Sequence, residues 1–100
     1  MAEARNSRLA DDERVRITMW SFALGDSTGQ HRHELDYVVV PVTGGTFDVT
    51  SPGGEIAEMT QQLGVPYFRS AGALHNVTST TEGEVVFVEV ELKRSASTTG

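Results

Sequence analysis

The chain has 100 residues and a formal net charge of −6, which suits one domain with a modest core and argues against nucleic acid as a partner. It has no cysteine, so disulfides and thiolate metal sites are excluded and a bound metal needs imidazole or oxygen ligands. Because no apolar run approaches the roughly 20 residues that cross a bilayer, and the N-terminus lacks signal-peptide character, we expect a cytoplasmic protein without a membrane partner.

The two ends of the chain lack a sustained apolar period. Residues 1–13 mix charged and small side chains, and residues 95–100 are small and polar. Such composition predicts a flexible N-terminal segment and a flexible tail. We therefore expect the folded domain over residues 14–94.

The stretch between these ends is typical of an all-β domain. Residues 14–22 alternate, with Val15, Ile17 and Met19 on one face and Trp20 and Phe22 on the other, which predicts a strand with two usable faces. Turn signals separate the later strands, and Gly44-Gly45 is typical of a hairpin. Further strands or extended segments are predicted at residues 31–42, 46–50, 55–63, 65–70 and 84–92.

Two histidines stand at the head of the second predicted strand. His31 and His33 are one residue apart, so a strand would project both imidazoles from one face. Paired imidazoles suggest a metal site, which needs a third ligand from elsewhere in the fold. The chain has three histidines in all, and the remaining one, His75, is the candidate.

These residues resemble the two motifs of the cupin superfamily. The first motif keeps the family spacing from Gly25 through His31, His33 and Tyr37 to Gly44, but the family has Glu where this chain has Tyr37. The second motif has its glycines and histidine in place, and departs from the family at two positions, where Pro and Asn are usual. The second-motif positions are Gly64, Ser70, Gly72, His75 and Ser79.

The resemblance covers residues 15–93 and implies a single-domain cupin, a conical antiparallel β-barrel of the jelly-roll type. In such a barrel the motif histidines, here His31, His33 and His75, converge on one divalent metal ion. Imidazole suits zinc, copper, iron and nickel, and the identity of the metal stays open among Fe, Mn, Ni, Zn and Cu. Small cupins often pair through strand edges, and the resemblance therefore also implies a homodimer.

Tyr37 occupies the place of the family's carboxylate ligand. It shares the strand face of His31 and His33, whereas Glu34 and Asp36 point to the other face. Its phenol is a candidate catalytic group, as a hydrogen-bond donor to substrate or oxygen or as a metal ligand, and the alternative is an aromatic that only lines the pocket. Without a carboxylate, three neutral imidazoles leave the metal charge uncompensated, which favours an anionic or enolisable oxygen ligand.

Other residues have both a functional and a structural interpretation. Arg69 is a candidate for binding a substrate carboxylate, or a surface arginine. Trp20 and Phe87 are candidates for lining the substrate pocket, or core aromatics. Glu89 and Glu91 alternate with apolar residues and are predicted to lie on a solvated strand face.

The leading hypothesis is a mononuclear three-histidine metalloenzyme, dioxygenase-like, that acts on a small chelating or enolisable substrate. One alternative is a non-catalytic module that binds a small molecule or a metal; the short chain and the lack of an obvious general base beside the histidines support it. Another alternative is an oxygen-independent isomerase, cyclase or lyase.

Overall fold

The computed structural model describes residues 3–93, and all regular structure in them is β. These residues contain no helix, and hence no helix long and apolar enough to cross a membrane. The strands are Arg5–Asp11 (β1), Val15–Phe22 (β2), His31–Arg32 (β3), Asp36–Pro41 (β4), Gly45–Thr50 (β5), Ile56–Gln61 (β6), Tyr67–Arg69 (β7), Leu74–Ser79 (β8) and Val85–Leu92 (β9).

The strands form two sheets, with orders β1-β2-β9-β4-β7 and β3-β8-β5-β6. All pairs of neighbouring strands are antiparallel, which confirms the predicted fold class. The sheets are not closed into a continuous barrel. β3 and β7, each at a sheet edge, have two and three residues, too few to carry a ladder from one sheet into the other.

The core lies at one end of the space between the sheets. Phe22, Phe47 and Val85 are fully buried there. The ring of Phe22 meets Phe47 edge-on at 5.2 Å between centroids and stacks on Phe87 at 5.6 Å. β2 and β4 begin, and β9 ends, at the opposite end. The cavity described below lies next to the core in that direction, with Phe87 and Glu89 of β9 on its wall.

The predicted flexible N-terminal segment is wrong for residues 5–11, because they form β1. This strand pairs with β2 from Arg5 opposite Ser21 to Asp11 opposite Arg16. All seven of its residues are exposed, so backbone hydrogen bonds rather than apolar burial hold it, and a search for apolar periodicity misses it. The predicted domain start at residue 14 is therefore too late, and the predicted tail, residues 95–100, lies outside the described residues.

Two details of the predicted strand at residues 31–42 are also wrong. The segment forms two strands, β3 and β4, because residues 33–35 leave the ladder. Gly44-Gly45 does not close a hairpin, since β4 pairs with β7 and β9 whereas β5 pairs with β6 and β8. The chain instead crosses from one sheet to the other at these glycines. The remaining predicted strands are confirmed as β2, β5, β6, β7 and β9.

Gly45 offers a test of this crossing. Its φ is 150°, and a Cβ there would lie 2.8 Å from Val85 Cγ2 and 3.0 Å from Thr81 Oγ1. Because Val85 is fully buried, we expect Gly45→Ala to lower the free energy of unfolding by about 1–3 kcal/mol. Thermal unfolding measures this as a loss of about 4–8 °C per kcal/mol. Gly53→Ala is the matched control, since its Cβ meets nothing within 4 Å, and an equal loss in both variants would contradict the packing argument.

Candidate metal centre

The edge of the four-stranded sheet brings the three histidines together. His31 on β3 is paired directly with His75 on β8. His33 follows in the break after β3, where its N–H donates to the Ala73 carbonyl at 2.9 Å and its own carbonyl accepts from the Gly72 N–H at 2.7 Å. Backbone pairing therefore holds the segment with His31 and His33 against the segment with His75.

The Nε2 atoms of the three imidazoles converge on one point. His33 Nε2 lies 3.0 Å from His31 Nε2 and 3.2 Å from His75 Nε2. Two nitrogens each about 2.1 Å from a common ion would be roughly 3.0–3.4 Å apart at octahedral or tetrahedral angles. The spacing and the donor type of this cluster therefore fit a divalent transition metal.

The orientation of His31 is fixed by groups behind it. Its Nδ1 lies 3.0 Å from the Gly29 carbonyl oxygen and 3.1 Å from Thr28 Oγ1. A carbonyl can only accept, so Nδ1 carries the hydrogen and donates it to Gly29. Nε2 then keeps its lone pair for a metal, as in other metal sites with an oxygen partner behind the ligand.

Burial favours the neutral form of His33 and His75. Burial, and then the nearby His31 and His75, lowers the pKa of His33 to about 4, although Glu91 opposes the shift. The pKa of His75 is also lowered, by burial and by His31. Since a metal binds the neutral imidazole, protons compete weakly with it at these two positions near neutral pH.

Tyr37 lies beside the cluster, on the same side of the fold as the imidazoles. Its ring stacks on His33 at 4.0 Å between centroids, and 4% of the residue is exposed. Burial, and then Glu89 and Tyr67, raises the pKa of Tyr37 to about 12. The phenol therefore stays protonated in the metal-free protein and is suited to donate a hydrogen bond.

The prediction that Glu89 and Glu91 lie on a solvated face is wrong. Phe87 on β9 points into the core, so the alternation of the strand turns Glu89 and Glu91 inward as well. Arg16 on β2 binds Glu91 in a bidentate pair, with Nε to Oε1 at 2.7 Å and a second nitrogen to Oε2 at 3.1 Å. The strand therefore carries two carboxylates into the interior, where apolar residues were expected.

Glu89 is the functional candidate that sequence reasoning missed. It lines the same cavity as the histidines, and burial followed by the charge of Glu91 raises its pKa to about 7. The alternation of the strand could have predicted this position, because Phe87 and Glu89 are two residues apart and their side chains point to the same face.

His33, Glu89 and Glu91 form a second group whose ligand atoms lie within 4.8 Å of one another. Both oxygens of Glu91 already bind Arg16. A metal bound to this group would have to displace Arg16 from Glu91. No positively charged side chain of residues 3–93 is bound to the Nε2 atoms of the three histidines. The three-histidine group is therefore the better metal site.

A cavity of about 380 Å³ opens in front of the histidines. All three of the predicted pocket residues line it: Trp20, Phe87 and Arg69. Arg69 is exposed at the rim, where its guanidinium lies 4.5 Å from the centre of the Tyr67 ring and donates to the Phe68 carbonyl. The deeper walls are apolar and come from Val39, Val49, Met59, Val77 and Phe87.

The fold of this chain is similar to those of solved cupin structures. A cupin domain from Bordetella pertussis Tohama I superposes with a TM-score of 0.88 at 42% identity, over 93% of this chain and 96% of that one. An RmlC-like cupin with a double-stranded β-helix fold from Methanocaldococcus jannaschii reaches 0.74 at 13% identity, over 93% and 83% of the two chains. The second likeness shows the fold alone.

The chain belongs to the cupin superfamily. Over 83 residues, 83% of this chain and 86% of the relative, it is 48% identical to the β-alanine degradation protein BauB of Pseudomonas aeruginosa. No family model matches the sequence. The relationship therefore rests on whole-chain similarity to this relative and to the solved structures.

The pKa of Glu89 predicts a pH dependence of stability. A carboxyl whose pKa rises from 4.5 unfolded to about 7 folded holds its proton longer in the native state, so its contribution to stability is lost as pH rises from about 4.5 to 7. We expect Glu89→Gln to stabilise the metal-free protein by about 1–3 kcal/mol at pH 8 and little at pH 4.5.

Urea unfolding of the metal-free protein across this pH range measures the effect. Glu82→Gln is the matched control, because Glu82 is exposed in the bend before β9 and its removal should leave the pH profile unchanged. Parallel profiles for wild type and Glu89→Gln would contradict the inward position of Glu89.

Proposed function

We propose that this chain is a metal-dependent cupin enzyme in which His31, His33 and His75 hold one divalent metal ion. The convergence of the three Nε2 atoms carries this proposal. The neutral state of His33, the fixed tautomer of His31 and the cavity in front of them support it.

The substrate that fits this centre is small, anionic and able to chelate or to enolise. Three neutral imidazoles leave the charge of a divalent ion uncompensated, so anionic oxygen ligands are favoured at its open positions. Arg69 at the rim offers a guanidinium for a carboxylate. The relative is named for β-alanine degradation. Transamination of a β-amino acid, in which an oxo acid acceptor takes the amino group and becomes an amino acid, gives a 3-oxo acid, which has both properties.

The reaction we propose is dioxygenase-like. A redox-active metal in this site would supply oxygen activation next to a chelated substrate. Tyr37 then serves as the catalytic hydrogen-bond donor, because its phenol is protonated and stacks on His33. Trp20 and Phe87 exclude water from the inner part of the cavity.

Glu89 favours a second candidate, an oxygen-independent isomerase or lyase. The sequence offered no general base beside the histidines, but the structure places this carboxylate in the same cavity. A carboxylate whose pKa lies near 7 is suited to move a proton at neutral pH. Oxygen uptake separates this candidate from the first.

Metal analysis and an oxygen electrode test the proposal. We expect about one metal ion per chain in protein purified without chelator, and oxygen uptake with iron-loaded protein and a panel of 3-oxo acids and diketones. His33→Ala should lower the metal affinity at least about 100-fold and abolish turnover, because only two ligands remain. Gln62→Ala, at an exposed position, is the control.

Each outcome has a distinct meaning. Unchanged metal content in His33→Ala would overturn the site. Product formation without oxygen uptake would favour the second candidate. Ligand-induced thermal stabilisation without any turnover would show a binding module rather than an enzyme.

We also propose that the protein is a homodimer, paired through the outer face of the five-stranded sheet. The inward turn of Glu89 and Glu91 leaves the valines of β9 facing outward, beside apolar neighbours on β2 and β4. Among residues 3–93, no strand packs on this face. Its central residues are Ile17, Met19, Val38, Val40, Val88 and Val90.

Light scattering during size-exclusion chromatography tests the dimer. Val90 sits between Ile17 and Val38, so Val90→Lys puts a charge in the centre of the apolar face and should give monomers. Thr60→Lys, on the exposed face of β6, should leave the mass unchanged. A monomeric wild type, or a Val90→Lys variant that still dimerises, would contradict this interface.

A further inference from the structure

A guanidinium and an ionisable carboxyl group, those of Arg69 and Glu89, line the cavity without pairing with each other. Neither Arg69 nor Glu89 forms an ion pair with any residue from 3 to 93. Arg69 is held only by the Phe68 carbonyl and the Tyr67 ring. Glu89 lies beside Trp20, whose indole partly offsets the cost of burying its charge.

Glu91 is on the same strand face as Glu89, and its carboxylate has a charged partner. It receives two hydrogen bonds from Arg16, and its side chain is 12% exposed. Glu89 is one pair further into the fold, opposite Thr18 on β2 and Val39 on β4. Neither neighbour is charged, and Arg16 acts on Glu89 only from a distance, as the last of the four influences on its pKa. Glu89 has no ion-pair partner among residues 3–93, so it is the carboxylate left to meet a ligand.

The sheet sets the distance between the two charges. Arg69 is on β7 and Glu89 on β9, and β4 lies between them with Tyr37 and Val39 facing the cavity. Arg69 is opposite Tyr37, whereas Glu89 is opposite Val39. Two strand spacings and two residues along the strand therefore separate their backbones by roughly 12 Å, which the two long side chains span in part. The remaining gap suits a molecule of a few carbons with one polar group at each end.

We propose that the cavity selects a small carboxylic acid that also carries a hydrogen-bond donor, amino or hydroxyl, about two carbons from the carboxylate. Arg69 binds the carboxylate, and Glu89 accepts a hydrogen bond from the donor. The 3-hydroxy acids, the 3-amino acids and the enol form of a 3-oxo acid share this chemistry. The inference deepens the proposed function and rests on it for placing substrate in this cavity.

Glu89 is then a specificity-determining residue. An analogue without the donor would leave a partly buried carboxylate without its partner, next to the apolar walls formed by Val39 and Phe87. Sites that hydrogen-bond a substrate group discriminate strongly against analogues that lack it, because the orphaned group loses its solvation.

Calorimetric titration of three matched ligands tests the inference. The ligands are 3-hydroxypropanoate, β-alanine and propanoate, which share a carboxylate and differ in the donor. Zinc-loaded protein avoids redox turnover, and metal-free protein isolates the contribution of the two side chains. In the zinc-loaded and the metal-free protein alike, we expect at least one of 3-hydroxypropanoate and β-alanine to bind at least about tenfold more tightly than propanoate.

The variants identify the groups responsible. Glu89→Leu removes the acceptor and should abolish the preference while leaving propanoate binding largely unchanged. Glu89→Gln keeps an amide oxygen that accepts a hydrogen bond, so it should keep the preference for the hydroxy acid and weaken that for β-alanine if the donor is an ammonium. Arg69→Gln should weaken the binding of all three ligands at least about tenfold. Glu82→Gln, the matched exposed control, should change nothing.

Equal affinity for the three ligands in the wild type, or no binding of any of them, would overturn the inference, as would a preference that survives in Glu89→Leu. Zinc content is measured on each sample. Failure to take up zinc contradicts the proposed metal site, whereas zinc uptake without ligand preference contradicts the role of Glu89 alone.

Discussion

The site depends on the irregular backbone pairing immediately after β3. His31 stays in the ladder opposite His75, but His33 leaves it and bonds instead through its backbone to residues 72 and 73. That exchange lets three imidazoles from two chain segments direct Nε2 to one point. On an unbroken strand, His33 would be about 6–7 Å further along the sheet than His31. The short β3 and the irregular residues after it are therefore a requirement of the site.

The charge in the cavity is distributed differently from a site in which a carboxylate binds the metal. The position next to the histidines holds a neutral phenol, Tyr37, whose raised pKa reflects burial. Negative charge comes instead from β9, where Glu91 is neutralised by Arg16 and Glu89 is not. A metal held by neutral ligands keeps its full charge for the substrate, while Glu89 influences what can approach it.

Sequence alone predicts much of this arrangement and fails for identifiable reasons. The three histidines and Tyr37 are found by motif spacing and strand parity, and the structure brings all four together. β1 is missed because its residues are exposed and held by backbone bonds. The Gly44-Gly45 hairpin is wrong because the partner of β4 is chosen by packing at long range. The predicted positions of Glu89 and Glu91 are wrong because charged residues were expected on the solvent-exposed face of the strand. Arg16, on another strand, stabilises Glu91 in the interior.

Trp20 gives the cavity a property of its own. It is the one tryptophan in the sequence, and it lines the cavity beside Glu89. The intrinsic fluorescence of the protein therefore originates at the site, where it is sensitive to the protonation of a neighbouring carboxyl and to the displacement of water. Bound paramagnetic ions would quench it at short range, whereas zinc would not. The fluorescence of Trp20 thus reports whether a paramagnetic metal is bound and whether the cavity is filled.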